Sequence, residues 1–357
     1  MATTGGRNIT NASGQSNSTG KDVSNREDLA NFITMITRDE TPFLASIGKT
    51  KSTNIYHEWQ TDELQAPGNS RVAEGTDFLA AGTAPAAGDG ADSTIVGPMR
   101  TRLGNYTQIN SKTISVSGSR RALDQAGVAD EYAYQLKKRG TEMRRDMEFD
   151  VVNTYNKQTS TGARKTGGYQ AFINSNDTCV FKGAFTQPAT PNTGVTTVTV
   201  AAGAAKAALA LTDIDAVMQK IYEAGGKASR VMVSPKLRRD FSDLLISDTG
   251  VQRNIDDSGK LRQSVDVYMS DFGDLMVVPN YIMGLASTTT DATTTQFNAK
   301  DSCALVYDPQ WFAMATFRPM QEVEVGQKGD STVGMFVEEW SLEVKNPKGC
   351  GAIYGLT

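Results

Sequence analysis

GVADEYAYQLKKRGTEMRRDMEFDVVNTYN, residues 127–156, carries the strongest local signal in the chain. Tyr132, Leu136, Met143, Met147, Val151 and Tyr155 fall on one stripe at helical spacing. Lys137, Lys138, Arg139, Glu142, Arg144, Arg145, Glu148 and Asp150 largely occupy the remaining surface. Roughly 28 residues at 1.5 Å each make a rod of about 42 Å, against a mean helix of about 11 to 12 residues. The stretch predicts a spine on which the rest of the fold is hung.

Upstream of it, residues 101–117 are rich in Thr, Ile, Val and Tyr and read as a strand, as do residues 52–59. Between them, residues 64–98 show neither helical nor strand periodicity. Structureless loops beyond about 12 to 15 residues are uncommon in compact domains and are usually functional or disordered. Further back, Ser24 to Glu27 form an S-x-x-E capping box ahead of Leu29, Phe32, Ile33 and Ile36, predicting a short amphipathic helix that stops before Thr41-Pro42. Residues 1–22 are Gly, Ser, Thr and Asn with few charges, a composition expected to stay a flexible arm.

Downstream, a Thr/Ala-rich stretch at 186–211 precedes alternating elements. A helix is predicted from Thr212 to Glu223, a strand from Arg230 to Ser234 and a second helix from Lys236 to Ile246 after Pro235. Residues 265–280 read as a hairpin, and the polar run at 287–301 as a closing loop. Residues 303–357 are nearly all strand in pattern. The class is α+β.

The charge balance argues against a dedicated nucleic-acid binder: 36 Lys plus Arg face 40 Asp plus Glu, a net charge of -4. Cys179, Cys303 and Cys350 are an odd set without CxxC spacing and read as small buried hydrophobes. The first residues offer no signal-peptide pattern and no window holds 18 apolar residues in a row, so neither secretion nor a membrane is expected.

Candidate chemistry is thin. His57, Glu58, Asp62 and Glu63 could pass for a metal or acid/base set, but His57 and Glu58 are neighbours in a predicted strand and point to opposite faces. A hydrolase using His57 lacks a G-x-S-x-G elbow to supply its nucleophile. FLASIGKT, residues 43–50, ends like a phosphate loop but has Phe43 where the first glycine is required, and GDGADS, residues 88–93, lacks the third glycine of a dinucleotide fingerprint. Arg120-Arg121, the basic run from Lys137 to Arg145 and SPKLRRDF at 234–241 read as solvated helix charge, with phosphate contact as the competing reading. No catalytic, cofactor-binding or metal-ligating residue is assigned, and no enzymatic activity is expected. An arm, an overlong loop and a lone long helix remain, all three intelligible if their partners are further copies of the chain.

Two stretches, DLANFITMITRDETPFLASIGK and ISVSGSRRALDQAGVADEYAYQLKKRGTEMRRDMEFDVV, resemble the major capsid proteins of tailed bacteriophages with the Hong Kong 97 fold, in the short-tailed-phage branch. The resemblance runs from about residue 25 to the last strands. It implies an N-terminal arm at 1–50, an extended loop at 51–108 lying across a neighbouring subunit, a peripheral domain with the spine helix at 109–164, an axial domain at 165–299 and peripheral strands at 300–357. At about 3.3 Å per residue, some twenty residues a side let the loop reach roughly 65 Å. The implied function is self-assembly into hexamers and pentamers of an icosahedral or elongated head around double-stranded DNA, held weakly and without sequence preference on the inner face. Implied partners are separate scaffold and portal proteins, with room for a decoration protein. The implied place is the virion, after assembly in the host cytoplasm. No cofactor is implied, and no Lys-Asn crosslinking pair is assigned. An encapsulin-like nanocompartment shell shares the fold and is the alternative.

Overall fold

A computed structural model of the chain describes residues 35–64, 74, 100–123, 127–153, 164–173, 178–182, 185–186, 199–200, 206–248, 266–284 and 303–357. In chain order these form α1 (Pro42–Ser46), β1 (Gly48–Lys51), β2 (Tyr56–Thr61), β3 (Thr101–Tyr106), β4 (Gln108–Ser117), α2 (Gly118–Ala122), α3 (Glu131–Asn153) and α4 (Tyr169–Ile173). There follow β5 (Val180–Phe181), β6 (Phe185–Thr186), β7 (Thr199–Val200), α5 (Leu211–Glu223), β8 (Arg230–Val233), α6 (Pro235–Asp248), β9 (Val267–Ser270) and β10 (Gly273–Pro279). The last strands are β11 (Cys303–Tyr307), β12 (Phe312–Lys328), β13 (Ser331–Val344) and β14 (Gly351–Tyr354). The expected flexible arm, the helix through Leu29, Phe32 and Ile33, the GDGADS turn and the polar loop at 287–301 lie outside the described residues.

Two sheets organise the chain. One has four strands in the order β1-β12-β13-β4; the other has six, in the order β5-β14-β11-β8-β10-β9. The expected single set of strands after residue 300 is divided between them, since β12 and β13 enter the first sheet while β11 and β14 enter the second. The six-stranded sheet is covered on both faces, and its alternation sorts residues between two cores. Cys303, Leu305 and Tyr307 of β11, Met232 of β8 and Ala352 and Tyr354 of β14 join a core shared with α3, α4 and the four-stranded sheet. Ala304 and Val306, Val231 and Val233, and Ile353 join the other, under α5 and α6. Gly226 lets the turn after α5 approach Gly349 so closely that an added Cβ would sit 2.3 Å from the Gly349 Cα.

The spine is α3, 23 residues long, with Met143, Met147 and Val151 buried as the stripe predicts and Val152 buried beside them. One member of the expected polar face is misplaced by that reading. Glu148 is 0% exposed. It follows Met147 and lies one turn before Val152, so the buried stripe is wide enough to take it in.

Other boundaries shift for local reasons. The strand expected at 52–59 is broken: Ser52 Oγ donates to the Asn54 carbonyl at 2.7 Å and the chain turns before β2. The strand expected across 101–117 is interrupted at Thr107, whose N–H donates to the Ile55 carbonyl at 2.8 Å. That break sends β3 into a hairpin with β2 and leaves β4 to pair with β13. The helix expected from Thr212 starts at Leu211, because the Asp213 carboxylate reaches back to the Ala210 N–H at 2.8 Å.

Candidate functional site

The β2–β3 hairpin is the described stem of the long loop. Its register pairs His57 with Asn105 and Trp59 with Leu103 on one face, and Tyr56 with Tyr106 and Glu58 with Gly104 on the other. The first face is bolted to the body. His57 Nε2 lies 3.3 Å from a Glu343 carboxylate oxygen, and the Trp59 ring lies 5.8 Å from that of Phe172. Asn105 is fully buried; its amide donates to Thr166 Oγ1 and the Gly167 and Leu342 carbonyls, and its oxygen accepts from the Gly167 N–H at 2.8 Å. On the second face the Tyr56 and Tyr106 rings lie 4.6 Å apart over Gly104, where a Cβ would meet the Tyr56 ring at 2.6 Å. The stem is thus fixed at its root while its far end is open: Leu64 is 99% exposed.

Two buried carboxylates tie distant segments together, and the first of them holds the stem's root. Glu339, 2% exposed, accepts from Thr107 Oγ1 at 2.7 Å, from Arg164, and from Arg318 Nε at 2.8 Å. Glu148 accepts from the Phe43 N–H at 2.9 Å, the Leu44 N–H at 2.8 Å and Asn280 Nδ2 at 2.7 Å. One side chain of the spine therefore holds both the first turn of α1 and the end of β10 in the six-stranded sheet. Burial raises its carboxyl pKa, opposed by those three hydrogen bonds. Phe43, placed by that cap, enters an aromatic cluster with Tyr169, Tyr307 and Phe312 at centroid distances of 5.1 to 6.1 Å. Such ring pairs add about 0.5 to 1.5 kcal/mol each beyond their buried area. The sequence reading missed Glu148, Asn280, Asn105 and Glu339. The Val151-Val152 doublet, which widens the buried stripe, was the signal available for Glu148.

The residues singled out for chemistry are not brought together. Glu58 faces away from His57, 3.8 Å from Arg102; Asp62 pairs with Arg100 at 3.3 Å and Glu63 with Lys348. Among the described residues no group of three or more His, Cys, Asp or Glu side chains could hold a metal. Arg120 and Arg121 face Glu131 and Asp130 at the start of the spine, at 3.7 and 4.0 Å, and Arg238 pairs with Asp266 at 2.8 Å. Lys49 of the FLASIGKT stretch is in β1, an edge strand. Cys179, Cys303 and Cys350 are all buried and none is in a disulfide, and burial pushes the Cys303 thiol up to about 12.

The described residues leave strand edges and apolar side chains uncovered. Among the described residues the sheet edges β1, β4, β5 and β9 carry no further strand. Val267, Met269 and Met276 are 50%, 76% and 51% exposed on the β9–β10 hairpin, and Val325 is 60% exposed on the long β12–β13 hairpin. The sequence matches the SU10 major capsid protein family over residues 8–357. The chain belongs to that family. This capsid protein is 28% identical over 260 residues to the major capsid protein of Escherichia phage Phieco32, spanning 65% of this chain and 70% of that one. Its fold is that of solved phage capsids. It resembles the structure from Mycobacterium phage Adephagia with a TM-score of 0.58 at 8% identity, over 95% of this chain and 98% of that one. It resembles the capsid of Cyanophage P-SCSP1u with a TM-score of 0.53 at 13% identity, over 99% of each. The SrpI encapsulin complex of Synechococcus elongatus has the same fold, with a TM-score of 0.53 at 8% identity over 93% of this chain and 92% of that one. The α+β, Hong Kong 97-like architecture and the structural role of a phage major capsid protein, multimeric in a shell and part of the virion, follow from the family.

Proposed function

We propose that this capsid protein forms the hexamers and pentamers of an icosahedral or elongated head, assembled in the host cytoplasm around a scaffold and a portal and then filled with double-stranded DNA. The observation that carries this reading is the stem: a hairpin anchored at its root by His57, Trp59 and Asn105 and continued by 35 residues, 65–99, too long to serve as a turn. In this reading residues 1–50 are the arm and 51–108 the extended loop laid across a neighbour. Residues 109–164 with the four-stranded sheet make the peripheral domain, and 165–299 make the axial domain, whose sheet is completed by β11 and β14.

A shell of many copies needs contacts weak enough individually to correct errors and strong enough together to confine DNA, which is the arithmetic of multivalency. Loops and arms that order only on a neighbour lower the affinity of each contact without shrinking its area. The net charge of -4 suits a wall that does not grip the DNA passing it. The protein has no catalytic task in this scheme. A decoration protein would bind outside, without altering the argument.

The test is deletion of residues 66–92. The expected product is a soluble, folded subunit that forms no closed shells on negative-stain grids; normal particles from the deletion overturn the reading.

A further inference from the structure

The side of the spine turned away from its buried stripe is basic. At about 100° a residue, Lys137, Lys138, Arg144 and Arg145 lie within about 120° of one another around α3, roughly opposite the buried Met143. The two pairs stand two turns apart, about 10.5 Å along the axis. None of the four makes an ion pair among the described residues, and the acids of the same helix are engaged elsewhere: Glu142 pairs with Arg139, Asp146 with Lys112, and Glu148 is buried. Clefts open on both flanks. One, of about 290 Å³, lies between Lys137, Thr141 and Arg144 and the segment with Asp39 and Thr41; the other, of about 280 Å³, holds Arg145 beside Lys112 and Asp146. Arg144 and Lys49 face a single acid, Glu338. The Arg145 Nε is buried without a hydrogen-bond partner, a donor left to find its acceptor outside the subunit. This face is therefore basic on a chain whose net charge is -4.

The face also has a direction. Tyr132 lies over Gly334 and Phe336 beside Gly140, so the even-numbered residues of β13 pack under the spine, with Trp340 and Leu342 in the core there. Glu343, which takes His57, alternates onto the opposite face of the sheet. The stem leaves the four-stranded sheet on one side, and the cations stand on the other.

We infer that the spine side of the sheet lines the interior of the head, and that Lys137, Lys138, Arg144 and Arg145 contact the phosphodiester backbone of the packaged duplex. The inference rests on the reading of the shell as a container for DNA, and adds which face of the subunit meets the DNA and through which side chains. A duplex carries one negative charge per about 1.7 Å of its axis, so a path along the stripe offers each cation a phosphate without any base being read. Contacts of this kind leave a duplex able to slide. A short basic stripe on an otherwise acidic chain touches the DNA without fixing it in place.

The test compares the rate of amine acetylation in heads filled with DNA and in the same heads emptied of it, with the modified sites mapped by mass spectrometry. Lys227, exposed on the turn after α5 and outside the spine, is the internal reference. Lys137 and Lys138 are expected to react severalfold more slowly in filled heads than in emptied ones, relative to Lys227. Heads of the chain carrying Arg144→Lys and Arg145→Lys keep the charge and extend the same reading to those two positions; should that variant not assemble, Lys137 and Lys138 in the native heads still decide. Equal rates in filled and emptied heads overturn the inference: fast in both leaves the stripe facing solvent, and slow in both places another copy of the chain on it. If the assembled heads hold no DNA, the container reading itself has failed; if they fill but the stripe reacts alike in both states, only the assignment of the face has.

Discussion

Replacing Glu148 with alanine leaves three donors facing an empty space: the Phe43 and Leu44 N–H groups and Asn280 Nδ2, held in the native protein at 2.9, 2.8 and 2.7 Å. Each buried donor without a partner costs about 1 to 3 kcal/mol. Removing the carboxylate also returns something, because burial works against its charge and lifts its pKa above the ordinary value. The balance is a loss of about 3 kcal/mol, near the lower end of what breaking a buried charged cluster costs. The sign with pH follows from linkage. A carboxyl whose native pKa is raised contributes stability that is complete below its unfolded value and is lost as the pH rises through the native one. Glu148 therefore stabilises the native protein on acidification, the alanine variant lacks that slope, and the gap between the two widens as the pH falls toward the ordinary carboxylate value. The assay is denaturant unfolding of unassembled subunits, followed through the fluorescence of the three tryptophans, of which Trp340 is fully buried. A loss under about 1 kcal/mol at neutral pH refutes the cap as a strong tie. A gap that narrows on acidification refutes the claim that burial outweighs the three hydrogen bonds.

Gly226→Ala forces a methyl into the Gly349 backbone, 2.3 Å from its Cα, and should destabilise by about 1 to 3 kcal/mol or more, read as a lowered melting midpoint. Gly140→Ala goes the other way: a Cβ there meets nothing nearer than Phe336 at 4.0 Å, so the helix should gain about 0.5 to 1 kcal/mol, and a lower midpoint contradicts that. His57→Ala removes one partner of Glu343 at a cost of about 1 kcal/mol in subunit stability and should leave shell formation close to normal, because Trp59 and Asn105 still hold the stem's root; complete failure to assemble shows that those two do not suffice. A thiol reagent at about pH 8 should find no fast-reacting cysteine among Cys179, Cys303 and Cys350 in the folded subunit and three after unfolding, since all are buried and two have thiol pKa values pushed up by burial.

The spine was legible because a stripe over more than twenty residues is a local property, written in consecutive side chains. Glu148 was not, because what makes its burial tolerable lies 104, 105 and 132 positions away along the chain. The same holds for the interruption at Thr107, whose hydroxyl finds Glu339, 232 residues on. Alternation in β11 to β14 announced strands but could not say which sheet each would join. One clue was present in Cys303 to Tyr307, a continuous apolar run of the kind buried on both faces, and it marks β11 as an interior strand of the six-stranded sheet. The stem's root was half legible. Its alternation was visible and put His57 and Glu58 on opposite faces, while the partners that anchor it, Glu343, Phe172 and Thr166, come from distant segments.

The order in which the strands interleave also governs when a newly made subunit becomes useful. β13 separates β4 from β12, and β14 separates β5 from β11, so strands made early stay unpaired until strands made late slot between them. Sheets closed by such distant pairings form slowly. A nascent polypeptide halted before residue 331 lacks a middle strand of one sheet and an inner strand of the other, and offers no finished surface for its neighbours to recognise. A chain truncated there is expected to stay outside the shell because two of its sheets lack an inner strand.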